Sequence, residues 1–495
     1  MTESLSSNID LERLFTPRAI GIIGASLNPA GGGYFVRCMT GKIKVPMYLF
    51  NPNYAGQELL GYRCYGSILE IPEDEPIDYV ILGVKAKLCP SLMEEIGKKG
   101  VPFVTIFASG FAEVGNMELE QQVISVARRY NIHIIGPNCL GVYNPAMGLA
   151  NGFGLSKKAG NFSGVFQSGG LAVNSAQLAV AYGCFVSKFI SVGNQIDLTH
   201  PDFLEYFLHD DRTRIIGLYL ENLKSQDIGR RFMKAAKACN LARKPVILWR
   251  AGYGEATKKA IISHTGGLAG DNRIWKAVAK QTGCSLVNNS TELAALASAF
   301  KLTSLPMSRN IGLIGIGGGS TIEGGDALER YGLKIPKLTD KTITKMGRFL
   351  ADVNTNLTNP LDLGAQGSYP NLYYRTIITL DNDPNIDAIV FVKDPERFAK
   401  LEKSLIAQSG RKMDLNKLFI KYVSKAKHVL KKPIYCVMLK ISEGFEEYKS
   451  RYSFKLKLLN RQVPVYENFE IAGKVLNHMN NYREFLQKHG KYPKK

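Results

Sequence analysis

The chain has 495 residues, which corresponds to roughly three domains at about 100–200 residues per domain. It is 45% hydrophobic and 21% charged, an ordinary globular composition, and its eight cysteines form no CxxC pair, which argues against a disulfide framework or a zinc site. The net charge of +20 is spread along the chain without a nucleic-acid-binding motif, so we expect a solvated basic surface or an attraction for phosphate-bearing small molecules.

The sequence gives no sign of a membrane or secreted protein. No apolar run reaches the roughly 20 residues that a membrane helix requires. The start, MTESLSSNIDLERLF, is polar and acidic and lacks the basic end and apolar core of a signal peptide. We therefore expect a cytoplasmic protein that binds neither membrane nor nucleic acid.

Short β-branched apolar runs alternate with helix-like segments along the chain. The candidate strands are AIGIIGAS, PMYLF, DYVILGV, PFVTIF and IHIIG, then SGVFQS, FVSKFISV, RIIGLYLE and KPVILWRAG, then NIGLIGIGG, IDAIVFV, KKPIYCVML and VPVYE. This alternation predicts parallel, doubly wound sheets. We predict three α/β domains at residues 1–148, 149–304 and 305–480, followed by a basic tail at 481–495.

A glycine-rich loop, Gly21–Phe35, follows the first predicted strand. Glycines let a backbone approach phosphate groups closely, and the start of the next helix attracts anions. The loop fits GxGxxG at no register, and the second strand ends in Asn51, Pro52 and Asn53 instead of the acid that holds an NAD ribose. These features favour a nucleotide-like ligand other than NAD, with a structural turn as the alternative.

Two more glycine loops follow strands and open helices. In the second domain a strand ends at Gln167, and Ser168 can cap the helix that starts near Gly169. In the third domain a strand ends near Ile316, and Gly317–Ser320 open the next helix. Each helix start offers free backbone N–H groups and a hydroxyl. Two such ends facing one site would bind a doubly charged phosphoryl group.

The helix after the third loop carries two further glycines, Gly324 and Gly325. Each weakens a helix by roughly 1 kcal/mol relative to alanine. Their presence therefore indicates close packing or the close approach of a ligand.

One of the seven histidines has unusual neighbours. His264 stands between Ser263 and Thr265 and is followed by glycines, so we do not expect its ring to be packed in a core. A neutral imidazole near pH 7 is a competent nucleophile toward phosphorus. The spacing leaves two interpretations open, a cap of the next helix or a phosphoryl carrier, and by itself favours the cap.

Ten motifs occur in order from about Leu14 to Tyr482: GIIGAS, NPN, ASGFAE, GPNCLG, QSGGLA, SVGNQIDL, YLEN, SHTGGLAGD, NPLDL and VPVYE. With these motifs the chain resembles the α subunits of ADP-forming acetyl-CoA or acyl-CoA synthetases, within the succinyl-CoA synthetase superfamily. The resemblance implies a Rossmann-like CoA-binding domain followed by two flavodoxin-like domains of the succinyl-CoA-synthetase type.

The resemblance also assigns site residues. It makes His264 the residue that is phosphorylated and Glu221, in YLEN, the carboxylate that steadies its ring. The phosphate-binding residues would be Ser168, Gly169, Gly170, Gly317, Gly318, Gly319 and Ser320. The CoA-binding residues would be Gly24, Ala25, Ser26, Asn28, Gly33, Asn51, Pro52, Asn53, Val84, Lys85, Ser109, Gly110 and Asn138. No metal ligand is expected on this chain.

The implied reaction is the reversible conversion of acyl-CoA, ADP and phosphate to a carboxylic acid, CoA and ATP, through an acyl phosphate and a phosphohistidine. A short acid such as acetate is expected. Nothing in the sequence matches the family's ATP-grasp component, so ADP or ATP with Mg²⁺ is expected on a separate β subunit, in an α2β2 assembly. Two alternatives stay open: a non-catalytic CoA-binding regulatory subunit and, less compatible with the loops, a dinucleotide-dependent dehydrogenase.

Overall fold

The computed structural model describes residues 9–252, 254, 256–257, 272–409 and 414–494. The chain divides into two compact units, one made of Met1–Val180 with Cys184–Leu293 and the other of Ala181–Gly183 with Ala294–Lys495. Within the described ranges, no helix is long and apolar enough to cross a membrane.

The first unit begins with a sheet of seven strands among its described residues, in the order β3-β4-β2-β1-β5-β6-β7. All pairs are parallel except β3 with β4. The strands are β1 Ile20–Ile23, β2 Met47–Phe50, β3 Glu58–Leu59, β4 Tyr62–Tyr65, β5 Tyr79–Leu82, β6 Phe103–Ile106 and β7 His133–Ile135. The helices are α1 Glu12–Phe15, α2 Gly32–Met39, α3 Cys89–Lys98 and α4 Met117–Tyr130.

The same unit holds a second sheet, for which the described residues give six strands in the order β13-β12-β11-β9-β10-β8. The strands are β8 Gly141–Tyr143, β9 Phe162–Phe166, β10 Val186–Ser191, β11 Ile215–Leu220, β12 Val246–Arg250 and β13 Ser285–Val287. The helices are α5 Gly169–Ala181, α6 His200–His209, α7 Gln226–Leu241, α8 Asn272–Thr282 and α9 Ser290–Leu302. Helix α5 ends in the second unit at Ala181, and α9 continues into it from Ala294. Strand β8 joins this sheet antiparallel to β10, although it precedes the boundary predicted at residue 148.

The second unit holds a parallel sheet of five described strands in the order β15-β14-β16-β17-β18. The strands are β14 Ile311–Gly315, β15 Leu361–Asp362, β16 Ala388–Lys393, β17 Ile434–Met438 and β18 Val465–Tyr466. The helices are α10 Gly318–Arg330, α11 Asp340–Gly347, α12 Pro370–Asp381, α13 Pro395–Ser409, α14 Leu415–Val429, α15 Phe445–Leu459 and α16 Phe469–Lys488. Residues 481–488, predicted as the start of a basic tail, belong to α16.

The central strands of all three sheets are buried along their whole length, as in β5, β11 and β16. Parallel strands with both faces covered read as continuous apolar runs, and this is why the sequence showed them clearly. The predicted α/β fold with doubly wound sheets is confirmed. In the first sheet the chain leaves β1 toward β2 and later returns to β5 on its other side, which creates a crevice at the carboxyl ends of these strands.

Candidate functional site

A cleft of about 1100 Å³ lies at the carboxyl ends of β1, β2, β5 and β6, within the first unit. Ten of the predicted CoA-binding residues line it: Gly24, Ser26, Asn28, Asn51, Pro52, Asn53, Val84, Lys85, Ser109 and Asn138. They come from five separate loops of the sequence, those after β1, β2, β5, β6 and β7. The fold therefore brings together, at the crevice where ligands of such sheets bind, residues up to 114 positions apart (Gly24 to Asn138).

Three predicted residues shape the cleft without lining it. Ala25 is fully buried in the hydrophobic core. A Cβ on Gly33 would lie 1.9 Å from Asn28 O, so only glycine fits beneath the loop. The N–H of Gly110 donates to Glu113 Oε1 at 2.6 Å, which fixes the turn next to Ser109. These three residues therefore set the geometry of the loops, and their assignment to CoA binding stays a prediction.

The glycines of the first loop are required by backbone contact between α2 and the end of β5. A Cβ on Gly83 would lie 2.2 Å from the N atom of Gly32, and one on Gly32 would lie 2.5 Å from the carbonyl carbon of Gly24. Gly24 also has a φ of +86°, which favours glycine. The start of α2 is thereby pressed against the strand ends.

Asn51 holds two walls of the cleft in place. Its side-chain Nδ2 donates to Ala25 O at 2.7 Å, and its Oδ1 accepts from the N–H of Asn53 at 3.0 Å. The NPN motif therefore ties the first glycine loop to the end of β2. An aspartate here would lack the donor to Ala25 O, so the residue type that argued against NAD also has a structural role.

Sequence reasoning missed several lining residues. Lys87, in the 3₁₀ turn Ala86–Leu88, lines the cleft together with Lys85, and both lysines are exposed. Ser67, Ser91 and Glu95 line the same cleft from neighbouring elements. The lysine pair was visible in the sequence as KAK after a strand, whereas the two serines and the glutamate had no local signal.

The second glycine loop is connected to the predicted catalytic glutamate by one side chain. Gln167 donates its backbone N–H to Tyr219 O at 3.0 Å. Its side-chain Oε1 accepts from the N–H of Glu221 at 2.7 Å and from that of Asn222 at 3.2 Å. The hydroxyl oxygen of Ser168 accepts from Leu171 N at 3.4 Å at the start of α5, as expected for a cap. The carboxyl ends of β9 and β11 are therefore held in register by Gln167.

Glu221 is partly buried at the end of β11 and pairs with a phenol two residues before it. Burial raises the pKa of Tyr219 above its ordinary value, and the hydrogen-bonded carboxylate of Glu221 acts in the same direction. The Tyr219 ring packs edge-on against Trp249, with 4.7 Å between ring centroids. The phenol that donates to Glu221 orients this carboxylate.

A histidine that the sequence analysis did not single out lies behind this strand end. His200 is fully buried, with Nδ1 2.8 Å from Gln195 Oε1 and Nε2 3.1 Å from Tyr219 O. Burial lowers the pKa of His200 to about 4, so the ring is neutral near pH 7 and carries one N–H. A carbonyl can only accept, so Nε2–H donates to Tyr219 O. Nδ1 then accepts from the amide NH₂ of Gln195, which a half-turn of the amide supplies.

The third glycine loop has a different neighbour, a carboxylate. Gly317 N donates to Asp362 Oδ1 at 2.7 Å, and the hydroxyl of Ser320 donates to Gly317 O at 2.9 Å. A Cβ on Gly319 would meet no heavy atom within 4 Å, so the loop is open at that point. Within α10, a Cβ on Gly324 would lie 2.6 Å from the Phe469 ring, so close packing accounts for this glycine.

The cysteines, His264 and the meeting of the two glycine loops are the remaining predicted features. All eight cysteines are buried, and burial raises the pKa of the Cys139 thiol to about 12, which fits a structural thiol. His264 lies outside the described residues. The loops at Ser168 and at Gly317 belong to different units, so their meeting at one phosphoryl group stays a prediction.

Comparison with known proteins gives two family matches. Residues 18–145 match the CoA binding domain, and residues 159–300 match the succinyl-CoA ligase like flavodoxin domain. The chain has a TM-score of 0.82 and 27% identity to the dinucleotide forming acetyl-coenzyme A synthetase 1 of Candidatus Korarchaeum cryptofilum in complex with phosphate and ADP, covering 97% of this chain and 99% of that one.

Curated relatives support the same assignment. ADP-forming acetate–CoA ligase of Methanocaldococcus jannaschii is 36% identical over 72% of this chain and 49% of its own length. The chain spans about half the length of such relatives, 49% and 58% for the first two. The alpha subunit of ADP-forming acetate–CoA ligase II of Pyrococcus furiosus is 34% identical over 77% of this chain and 82% of that subunit. The predicted resemblance is confirmed, and the chain belongs to the family of ADP-forming acetate–CoA ligases.

Proposed function

We propose that this chain is the α-type half of an ADP-forming acyl-CoA synthetase, which interconverts acyl-CoA, ADP and phosphate with a carboxylic acid, CoA and ATP. The observation that carries the proposal is the double hydrogen bond from the backbone of Glu221 and Asn222 to Gln167. It supports the proposal because it brings the residue before the start of α5 and the backbone of Glu221 together, in the unit that also holds the cleft of a CoA-binding domain.

The first step takes place at the thioester. An oxygen of inorganic phosphate attacks the acyl carbonyl, and the C–S bond breaks to release CoA as the thiolate, leaving an acyl phosphate. Coenzyme A occupies the cleft, with Lys85 and Lys87 near its phosphates and Asn138 near the thioester. Binding along the cleft positions the reacting carbonyl, and positioning supplies much of the rate in such transfers.

The second step moves the phosphoryl group to His264. A ring nitrogen attacks phosphorus, the P–O bond to the acyl group breaks, and the carboxylate leaves. Glu221 accepts a hydrogen bond from the N–H of the other ring nitrogen and stabilises the charged ring. The N–H groups at the start of α5, with Ser168, neutralise the phosphoryl oxygens. In the last step ADP takes the phosphoryl group and regenerates the histidine.

ADP or ATP with Mg²⁺ binds to an ATP-grasp subunit on a separate chain, in an α2β2 assembly in the cytoplasm. Two findings support a partner: curated relatives are about twice as long, and others of comparable length are named alpha subunits. The acid is a short one such as acetate, in line with the names of these relatives.

The test is to co-express the chain with an ATP-grasp partner and to follow transfer of ³²P from acetyl phosphate, or from acetyl-CoA with ³²P-phosphate, to the protein. We expect His264→Asn to abolish labelling and ATP formation. His209→Asn, at the exposed end of α6, is the matched control and should leave both unchanged. Full activity in His264→Asn would overturn the proposal. CoA binding without any labelling of wild type would favour a regulatory subunit.

A further inference from the structure

His200 is a buried histidine that the proposed chemistry does not use. Its side chain is fully buried, and both ring nitrogens are engaged, one by Gln195 and the other by Tyr219 O. Burying an imidazole costs free energy unless both ring nitrogens are hydrogen-bonded, whereas an apolar side chain at this core position would need no partners. The two contacts of the ring indicate what it does.

On one side the ring contacts Gln195, whose loop packs against a loop that lines the cleft. Gln195 lies in a loop whose backbone is bonded to the GPNC loop, through Asn194 N to Pro137 O at 2.9 Å and Ile196 N to Gly136 O at 3.0 Å. Asn138, in the GPNC loop, lines the cleft. The loop that carries Gln195 is therefore hydrogen-bonded to the loop that carries Asn138.

The two loops fit together without free space. A Cβ on Gly193 would lie 2.1 Å from Pro137 O and 2.6 Å from Asn138 O, so only glycine allows this approach. Gln195 itself has a φ of +56°, a left-handed conformation that a non-glycine residue adopts only when its surroundings impose it. The contact with His200 is one of the interactions that hold Gln195 there.

On the other side the ring contacts the strand that carries Glu221. Tyr219 O accepts from His200 Nε2 and also from Gln167 N. Gln167 in turn accepts from the N–H of Glu221, and the phenol of Tyr219 is hydrogen-bonded to the Glu221 carboxylate. Gln167, which is hydrogen-bonded to Tyr219 O, thus holds the backbone of Glu221, and the Tyr219 phenol holds its carboxylate.

We propose that His200 is a positioning residue for phosphoryl transfer: it joins the cleft wall at Asn138 to the strand end at Tyr219, so that Glu221 stays aimed when the cleft is filled. The inference rests on the proposed function, because it assigns Glu221 a role in that transfer. It adds a specific pair, Gln195 and His200, to the residues on which the reaction depends.

Two substitutions separate the hydrogen bonds of His200 from its volume. His200→Gln keeps one donor and one acceptor about as far apart as the ring nitrogens, whereas His200→Leu fills the space with neither. With an ATP-grasp partner co-expressed, we expect His200→Leu to lower kcat for ATP formation at least about tenfold, with KM for acetyl-CoA within about threefold of wild type. His200→Gln should recover most of kcat.

A second variant approaches the pair from the other side and guards against misfolding. Gln195→Met removes the amide but keeps the shape, and we expect a loss of kcat similar to that of His200→Leu. The double variant should be no worse than either single one, because both remove the same contact. Ser163→Ala, which removes a buried hydrogen bond to Thr213 at the other end of β9, is the matched control and should keep its kcat.

The outcomes distinguish the inference from the proposed function. If wild type is labelled by acetyl phosphate and both His200→Leu and Gln195→Met match wild type in kcat, the positioning role is wrong. Additive losses in the double variant, or a loss in KM alone, would also overturn it. If wild type itself is never labelled, the proposed function fails first. Near-wild-type melting temperatures for Gln195→Met would show that a loss of kcat is not caused by unfolding.

Discussion

The helices α5 and α10 begin with the same sequence pattern, a strand end followed by glycines, yet their surroundings differ. At α5 the residue before the glycine loop is Gln167, whose uncharged side chain bonds to the neighbouring strand end. At α10 the corresponding residue is Ile316, and the loop is held by Asp362, whose carboxylate accepts from Gly317 N. The start of α5 is therefore held by an uncharged amide, and the start of α10 by a carboxylate.

The difference bears on phosphate binding. A carboxylate next to a helix start takes up one N–H group and repels a second anion, whereas a carboxamide does neither. We therefore expect the α5 start to be the stronger phosphate site and the α10 start to contribute through its exposed glycines, Gly318 and Gly319. Similar glycine loops in a sequence thus do not imply equal affinity for a phosphoryl group.

The difference between the two helix starts is tested most strongly by changing the residue before each loop. Gln167→Ala leaves the N–H groups of Glu221 and Asn222 without their acceptor, and we expect at least a hundredfold loss of kcat together with a loss of about 2–4 kcal/mol in stability. Steady-state kinetics and urea unfolding measure the two effects. Ile316→Ala is the matched variant and should cost about 2 kcal/mol in stability with less than about tenfold in kcat. Equal losses of kcat would remove the distinction.

The pH dependence of stability tests whether the buried ring of His200, next to β11, is neutral. His200 has a folded pKa of about 4, lowered by burial from an ordinary 6.5, so the unfolded chain binds more protons between these values. Stability should therefore fall as the pH drops from 6.5 toward 4, by about 2 kcal/mol at pH 5 from this group. Unfolding of wild type and His200→Gln at pH 7 and pH 5 measures it. The same pH dependence in both proteins would contradict a neutral buried ring.

The smallest expected effect concerns the two glycines inside α10. Gly324→Ala places a methyl group 2.6 Å from the Phe469 ring, and we expect a loss of about 1–3 kcal/mol. Gly325→Ala meets only Pro360 at 3.7 Å, and the better helix propensity of alanine should raise stability by about 0.5–1 kcal/mol. Thermal unfolding of the two variants should show shifts of opposite sign. A loss in Gly325→Ala would mean that this position also needs glycine.

Much of the first cleft was predictable from the sequence because its residues sit in loops directly after strands. The glycine loop and NPN indicated a ligand site after these strands, and the family resemblance assigned Gly24 and Asn51 to CoA. Ala25 and Gly33 were predicted together with the lining residues because a motif does not show which of its residues face the cleft and which face the core. Ser91 and Glu95 were missed because they lie on a helix, where one exposed polar residue looks like another.

The amino-acid sequence alone predicted the α/β class and thirteen of the eighteen described strands, because buried parallel strands leave continuous apolar runs, and its ordered motifs predicted the family. The short strands β3, β4, β8, β13 and β15 were not predicted, because runs of two to four residues carry little pattern. Which polar groups hydrogen-bond to one another could be read only from the folded chain. His200 reads as an ordinary residue of a helix start, yet it lies between Gln195 and Tyr219 because two distant loops and a strand end meet there. Such a contact depends on the positions of three segments at once, and hydrophobic periodicity carries no information about it.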